Sequence, residues 1–192
     1  MLKNIFKFII FIFFIYFLLL SLQPPRFYMW YPTFQGYPNN NKEIGILIRD
    51  YISKRKPEDI EFFKLTDSKP VEAFRSKISD KLYRRLTTEK DAAYIKMANK
   101  IMYYQKLFNR ARPAQVAPEL VDNLNSNSDD TPSFPSGHAF HSFYAAKLLK
   151  KWIPERKKEW DEIAERSAYI RVIAGLHFPS DIEFAKKLVY EL

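Results

Sequence analysis

The sequence predicts an all-α helical bundle preceded by one N-terminal transmembrane helix. Three observations carry that reading. Only four of the 192 residues are Gly, and no stretch of any length alternates apolar and polar residues as a half-buried strand would. Apolar residues recur instead at helical spacing, in segments opened by Pro, Ser or Thr. Finally, Ile5 to Leu22 is an almost unbroken apolar run, interrupted by Lys7 and Ser21, long enough to cross a hydrocarbon layer as a helix.

The elements follow in order. Residues 1–22 read as a signal anchor. The residues after it, from Gln23 to Tyr28, lack a small-x-small cleavage site, although secretion after signal cleavage is the competing reading. Residues 23–41 read as a linker, with Pro32 to Asn41 rich in Pro, Gly and Asn. The domain then spans 42–192. A first helix is expected from Lys42 to Lys54, with Ile44, Ile46, Leu47 and Tyr51 on its apolar face. Pro57 opens the next, through Leu65, and Lys69-Pro70 begins another that carries Val71, Phe74 and Ile78. Thr88-Glu89-Lys90-Asp91 resembles an N-terminal cap and is expected to open a long helix to Phe108. Asn109 to Phe134 is a long polar connection, of the kind that is functional when it sits inside a compact domain. Ser136 starts a helix to Trp152, Pro154 one through Ile173, and Pro179 the last.

Composition narrows the chemistry. There is no Cys, so disulfides, thiolate zinc sites and cysteine nucleophiles are excluded. The formal net charge is +9, which favours an anionic partner or membrane surface, though lysines such as Lys157 and Lys158 sit in mixed-charge stretches typical of solvated helix faces. No aromatic-basic interleaving of the kind that stacks bases is present, so no nucleic acid is expected. Lys3 and Lys7 before or within the apolar run, with Arg26 just after it, favour a cytoplasmic N-terminus weakly. The domain would then lie on the exoplasmic or lumenal side of a single-pass protein.

The residues that carry chemistry lie in the second half. Ser136 is a good N-cap, and the unpaired N–H groups of the helix start it caps suit a phosphate. Gly137 lets an anion approach the backbone, and His138 stands ready to protonate a leaving alkoxide; a plain cap with a solvent-facing His is the alternative. His177 and Asp181 are four apart, with Pro179 between them. A carboxylate there fixes the imidazole tautomer and leaves the other nitrogen as a nucleophile, or else it merely complements the helix dipole. Arg112 and Arg171 are forked, permanently charged groups that match phosphoryl oxygens. Singly, each arginine reads as an ion-pair residue; together and in this order they read as one site. Of the three His residues, His141 is expected to be structural, and the stripe Phe140, Phe143 and Tyr144 to belong to the core.

Arg112-Pro113, Pro135-Ser136-Gly137-His138 and Arg171-x5-His177-x3-Asp181 resemble the three-part signature of the type 2 phosphatidic acid phosphatase (PAP2) / vanadium haloperoxidase superfamily. The resemblance runs from about Glu58 to Leu192. It is nearest the soluble bacterial acid-phosphatase-like branch, through Phe62-Phe63-Lys64-Leu65-Thr66-Asp67, Phe108 to Pro113 and Phe178 to Asp181. It implies a helical bundle of that type and a metal-independent phosphatase acting on phosphate monoesters, lipid or soluble. In that scheme His177 attacks phosphorus to form a phosphohistidine, Asp181 orients it, and His138 is general acid and then base. Arg112, Arg171, Ser136 and the Gly137 N–H hold the oxygens.

The sequence departs from the signature at its first position, where a Lys is usual: Gln105 stands there, with Lys106 one place later and rotated by about 100°. Gln105 and Lys106 are both carried as phosphate-binding candidates, and Arg110 as another source of the missing charge. No cofactor or metal is expected; vanadate is expected as an inhibitor. The alternatives are a vanadium-dependent haloperoxidase, with vanadate as cofactor, and a catalytically weakened anion-binding protein.

Overall fold

The computed structural model describes residues 6–15, 39–126 and 130–192. Residues 6–15 are helical (α1). The domain is built from α2 (Asn40–Ile46), which continues through a π turn (Leu47–Tyr51) and a 3-10 turn (Ile52–Lys54), then α3 (Pro57–Asp67), a 3-10 turn (Glu72–Lys77), α4 (Asp80–Phe108), the short α5 (Pro113–Val116), α6 (Gly137–Trp152), a 3-10 turn (Pro154–Arg156), α7 (Lys157–Ile173) and α8 (Pro179–Tyr190). All regular structure among the described residues is therefore helical, as expected. Most of the anchor and linker, residues 1–5 and 16–38, lies outside them. Among the described residues no helix is long and apolar enough to cross a membrane.

The middle of the bundle is α6, which packs against α7, α8 and α4. Its sequence explains this. Ala139, Phe140, Ser142, Phe143, Ala145, Ala146, Leu148 and Leu149 are all buried, and the three alanines let neighbouring backbones approach. Each large side chain buried here contributes about 1.5–3 kcal/mol. The expected core assignment of Phe140 and Phe143 holds, with Tyr144 packed against the same cluster. Trp160 on α7 is fully buried, and its indole N–H donates to the Ile153 carbonyl at 3.1 Å.

One helix start differs from the expectation. The long helix begins at Asp80 rather than near Thr88. Ser79 is its cap, accepting the Leu82 N–H at 3.3 Å, whereas the Thr88 hydroxyl donates back to the Arg84 carbonyl at 3.1 Å in the helix interior. The reason is packing: Leu86 is wholly buried, and Leu82 and Tyr83 lie against the same core, so the turns before Thr88 have an apolar face to hold them in place. The Lys69-Pro70 segment forms only a 3-10 turn, with Phe74 buried beneath it.

Four helix ends and two connections are bonded together in one region: the start of α2, the end of α3, the start of α6, the start of α8, the stretch after α4 and the α7–α8 turn. That turn is tight. Gly175 has φ +75°, and a Cβ there would sit 3.1 Å from Val121 and 3.2 Å from the Asn123 backbone. Any side chain at 175 would be both strained and crowded, so the turn before His177 is locked to the loop at 121–123. That loop is bonded to it as well, by the Leu124 N–H to the Ala174 carbonyl.

Candidate active site

The start of α8 sets the partner of His177. Pro179 fixes the first turn, and Asp181 turns back so that its Oδ2 accepts the Phe178 N–H at 2.9 Å. The same oxygen faces His177 Nδ1 at 3.3 Å. On the other side of the ring, Arg112 Nη1 is 3.3 Å from His177 Nε2. A guanidinium can only donate. Nε2 is therefore the acceptor nitrogen, and the proton of the neutral ring is on Nδ1, pointing at Asp181. Burial first, and then the charge of Arg112, pushes His177 down to about 4, against the hydrogen bond that it donates to Asp181. The ring is thus neutral at pH 7, with its lone pair directed into a cationic site.

Arg112 and Arg171 are both buried, so the fold has paid desolvation to keep two guanidinium groups here. Arg112 is aimed by backbone and hydroxyl acceptors: the carbonyls of Thr131 (2.9 Å) and Leu176 (2.8 Å), and the Thr131 hydroxyl (3.0 Å). Arg171 sits at the end of α7 and donates to Asp67 Oδ1 at 2.6 Å and to the Ser126 hydroxyl at 3.1 Å. Ser136 caps α6 by accepting the Ala139 N–H, which leaves its own hydroxyl proton to donate. Its N–H is bound to the Asp181 carbonyl at 3.2 Å, tying the start of α6 to the start of α8. Gly137 has only ordinary contact with Tyr94 where a Cβ would be; the protein around it does not demand a glycine.

His138 makes a 2.6 Å contact from Nε2 to the Asp67 backbone carbonyl, so Nε2 carries the proton. Burial, and then Arg171, pushes it down to about 3, with a further small effect of His177 in the same direction. The sequence-selected residues Arg112, Ser136, His138, Arg171, His177 and Asp181 are therefore brought together, linked by hydrogen bonds or by mutual charge. Gln105 and Lys106 lie half-buried on the last turn of α4, where burial lowers the Lys106 ammonium below its usual range. His141 is in the wall: its ring stacks on Tyr94 at 4.3 Å, and burial pushes it down to about 3.

Arg110, the other candidate for the missing charge, is engaged by Glu43, Asp181, Ser180 and Asn40. It is buried in the protein, where Nη1 donates to Asp181 Oδ1 at 2.6 Å and Nη2 to Glu43 Oε1 at 2.8 Å. Two carboxylates, Glu43 and Asp181, hold it on the Asp181 side of His177. Sequence reasoning also gave Asp67 no role, although its carboxylate and carbonyl touch both Arg171 and His138. Burial opposes ionisation of Asp67, but hydrogen bonds from Arg171 and Ser126 hold it below the usual carboxylate range. Among the described residues no group of three His, Cys, Asp or Glu side chains is arranged to hold a metal.

Two expected results follow from this geometry. Asp67 neutralises Arg171, so Asp67→Asn, which keeps an acceptor but removes the charge, is expected to tighten binding of inorganic phosphate or vanadate about three- to tenfold; unchanged or weaker binding by calorimetry would contradict this. The second concerns acid. An unfolded His protonates near 6.5, but burial holds His138, His141 and His177 neutral until about 3 to 4. Within that window the unfolded chain binds more protons. The stability from these neutral rings is complete above 6.5 and is lost as the pH falls toward 4. The thermal midpoint should fall steadily over that range; a flat profile down to about pH 5 would show that the rings are not held neutral.

Residues 95–186 match the PAP2 superfamily, a span that contains Gln105, Lys106 and all the residues from Arg112 to Asp181. Among solved structures the chain is similar to the crystal structure of the first transmembrane PAP2 type phosphatidylglycerolphosphate phosphatase from Bacillus subtilis, at 16% identity and a TM-score of 0.47, over 78% of this chain and 80% of that one. No curated protein sequence matches.

Proposed function

We propose that the protein is a metal-independent phosphatase that cleaves phosphate monoesters through a phosphohistidine on His177. One observation carries the reading: a buried, neutral imidazole has its Nδ1–H on Asp181 and its Nε2 lone pair turned toward Arg112, in a site that also contains Arg171 and the capped start of α6. The PAP2 match is consistent with phosphatase activity.

The steps balance as follows. His177 Nε2 attacks phosphorus, the ester P–O bond breaks, and the leaving alkoxide takes a proton from His138. The imidazole, now bonded to phosphorus, carries a positive charge that Asp181 stabilises. Water then attacks, His138 takes its proton, the P–N bond breaks, and His177 returns neutral. Arg112, Arg171, Ser136 and the Gly137 N–H hold the equatorial oxygens, where preorganised donors are worth most.

The free site leaves His138 unprotonated at neutral pH. The proton arrives with the ester, whose second pKa is about 6. The monoanion that predominates below that value delivers it, and the bound phosphoryl charge then favours the imidazolium. This places the optimum on the acid side, in line with the acid-phosphatase-like branch. For His138 to act, its Nε2–H must turn from the Asp67 carbonyl to the leaving oxygen. In this proposal the run from Ile5 to Leu22 anchors the domain to a membrane, with the site on the exoplasmic or lumenal side, open to a lipid phosphate or a soluble ester.

The test is phosphate release from p-nitrophenyl phosphate by the full chain across acid to neutral pH, with chelator present and with or without vanadate. Turnover that resists chelator and is inhibited by vanadate is expected. Turnover abolished by chelator, or none at any pH, would overturn the reading.

A further inference from the structure

Glu43 lies on α2, before the matched segment and far in sequence from every motif residue, yet it is buried in the structure. Its Oε1 accepts from Arg110 Nη2 at 2.8 Å and from the Ser180 hydroxyl at 2.7 Å, and its Oε2 accepts the Ser180 N–H at 3.1 Å. Arg110 in turn donates from Nη1 to Asp181 Oδ1 and to the Ser180 hydroxyl, both at 2.6 Å, and from Nε to Asn40 Oδ1 at 2.9 Å. Its guanidinium carbon lies 4.1 Å from the centre of the Phe178 ring. Asp181 completes the series on His177 Nδ1. The order is Glu43, Arg110, Asp181, His177, entirely within the packed interior.

Two carboxylates share one guanidinium here, and the arithmetic matters for the imidazole. A guanidinium alone against Asp181 would hold the carboxylate still but cancel its charge. The carboxylate would then do little for a ring that becomes positive when phosphorylated. With Glu43 on the far side of Arg110, the cluster keeps one formal negative charge, and its nearest oxygen to the ring is Asp181 Oδ2. In a buried, low-dielectric setting such charges act more strongly than they do in water.

We propose that Glu43 is a positioning residue for the nucleophile: through Arg110 it fixes Asp181, and by offsetting the guanidinium it lets Asp181 face the phosphorylated His177 as a net anion. The proposal rests on the reading of His177 as nucleophile. It also ties the helix that follows the linker directly to the reaction.

The experiment uses the full chain and Glu43→Gln, with two readouts. The first is steady-state hydrolysis of p-nitrophenyl phosphate. We expect kcat to fall about tenfold to hundredfold, the usual scale for removing an outer partner of a site residue, with KM within about threefold because the phosphate-binding groups are untouched. The second is the His177 Nδ1–H proton in the NMR spectrum, which is expected to move upfield as its acceptor weakens. The charged groups facing the ring (Asp181, Arg112, Arg171 and, across the site, His138) are the same in both proteins. Unchanged kcat, or a loss shared equally between kcat and KM, overturns the proposal. If wild type shows no turnover, the phosphatase reading fails and the proton resonance alone decides: an identical position in both proteins overturns the link. If Glu43→Gln does not fold, Arg110→Lys carries the same test. It keeps a charge but loses the fork, and the same fall in kcat and upfield move are expected; wild-type values overturn the proposal.

Discussion

His177→Ala is expected to remove turnover, with kcat down by at least about 10⁴-fold, the scale seen when a nucleophile is deleted from a site that acts as a unit. In the free protein the other two rings are engaged elsewhere, His138 with the Asp67 carbonyl and His141 against Tyr94. Both arginines remain, so the variant should still bind vanadate or phosphate, more weakly and without covalent capture. Single-turnover kinetics with a chromogenic ester separate the two effects. The change also removes one of the three rings kept neutral by burial, so the variant should lose less stability than wild type on acidification. Turnover within about tenfold of wild type would mean that another group attacks phosphorus.

Asp181→Asn has the second-largest expected effect, and for a different reason. Each oxygen of Asp181 accepts: Oδ1 from Arg110, and Oδ2 from the Phe178 N–H and His177 Nδ1. An amide has only one accepting end. If its oxygen stays on Arg110, its NH₂ meets the Phe178 N–H and forces His177 Nδ1 to accept, which moves the ring proton to Nε2 and removes the nucleophilic lone pair. If the amide is reversed, a donor faces the buried guanidinium. Either way a buried donor goes unpaired, at about 1–3 kcal/mol, and Arg110 is left with one counter-charge instead of two. We expect kcat to fall by about 10³- to 10⁴-fold, as when an orienting carboxylate becomes an amide in a nucleophile–His–Asp arrangement, together with a stability loss of about 3 kcal/mol. Nitrogen NMR of the histidines reads the tautomer directly, and denaturant titration reads the stability. A wild-type tautomer with full activity would show that Asp181 does not orient the ring.

The sequence made some of this site readable and hid the rest, for identifiable reasons. Pro57, Ser136 and Pro179 start helices where expected, because a proline or a hydroxyl at a first turn satisfies local backbone requirements and needs no distant partner. His177 and Asp181 were readable because their contact spans four residues across one turn. The long helix is capped by Ser79 and not by Thr88 because the burial of Leu86 holds the earlier turns in place, and that burial depends on distant partners. Glu43 and Arg110 are 67 residues apart, and Asp67 and Arg171 are 104 apart. Partners at such separations leave no local pattern. Arg110 and Arg112 look alike in the sequence, as two arginines near the position where the signature's Lys is missing. What separates them is that Arg112 turns toward His177 while Arg110 turns behind it, to Asp181 and Glu43. A hint did exist: Glu43 is the one acidic residue in an otherwise apolar and basic stretch from Lys42 to Arg49.

The most direct measurement is to find where phosphate resides in mid-reaction. The full chain is mixed with a ³²P-labelled monoester, quenched in alkali after a few milliseconds, digested and mapped. Acid-labile, alkali-stable label on the peptide that contains His177, absent from His177→Ala, is the outcome expected for a phosphohistidine. Label on any other residue, or rapid turnover with no labelled peptide at any time point, would contradict the mechanism.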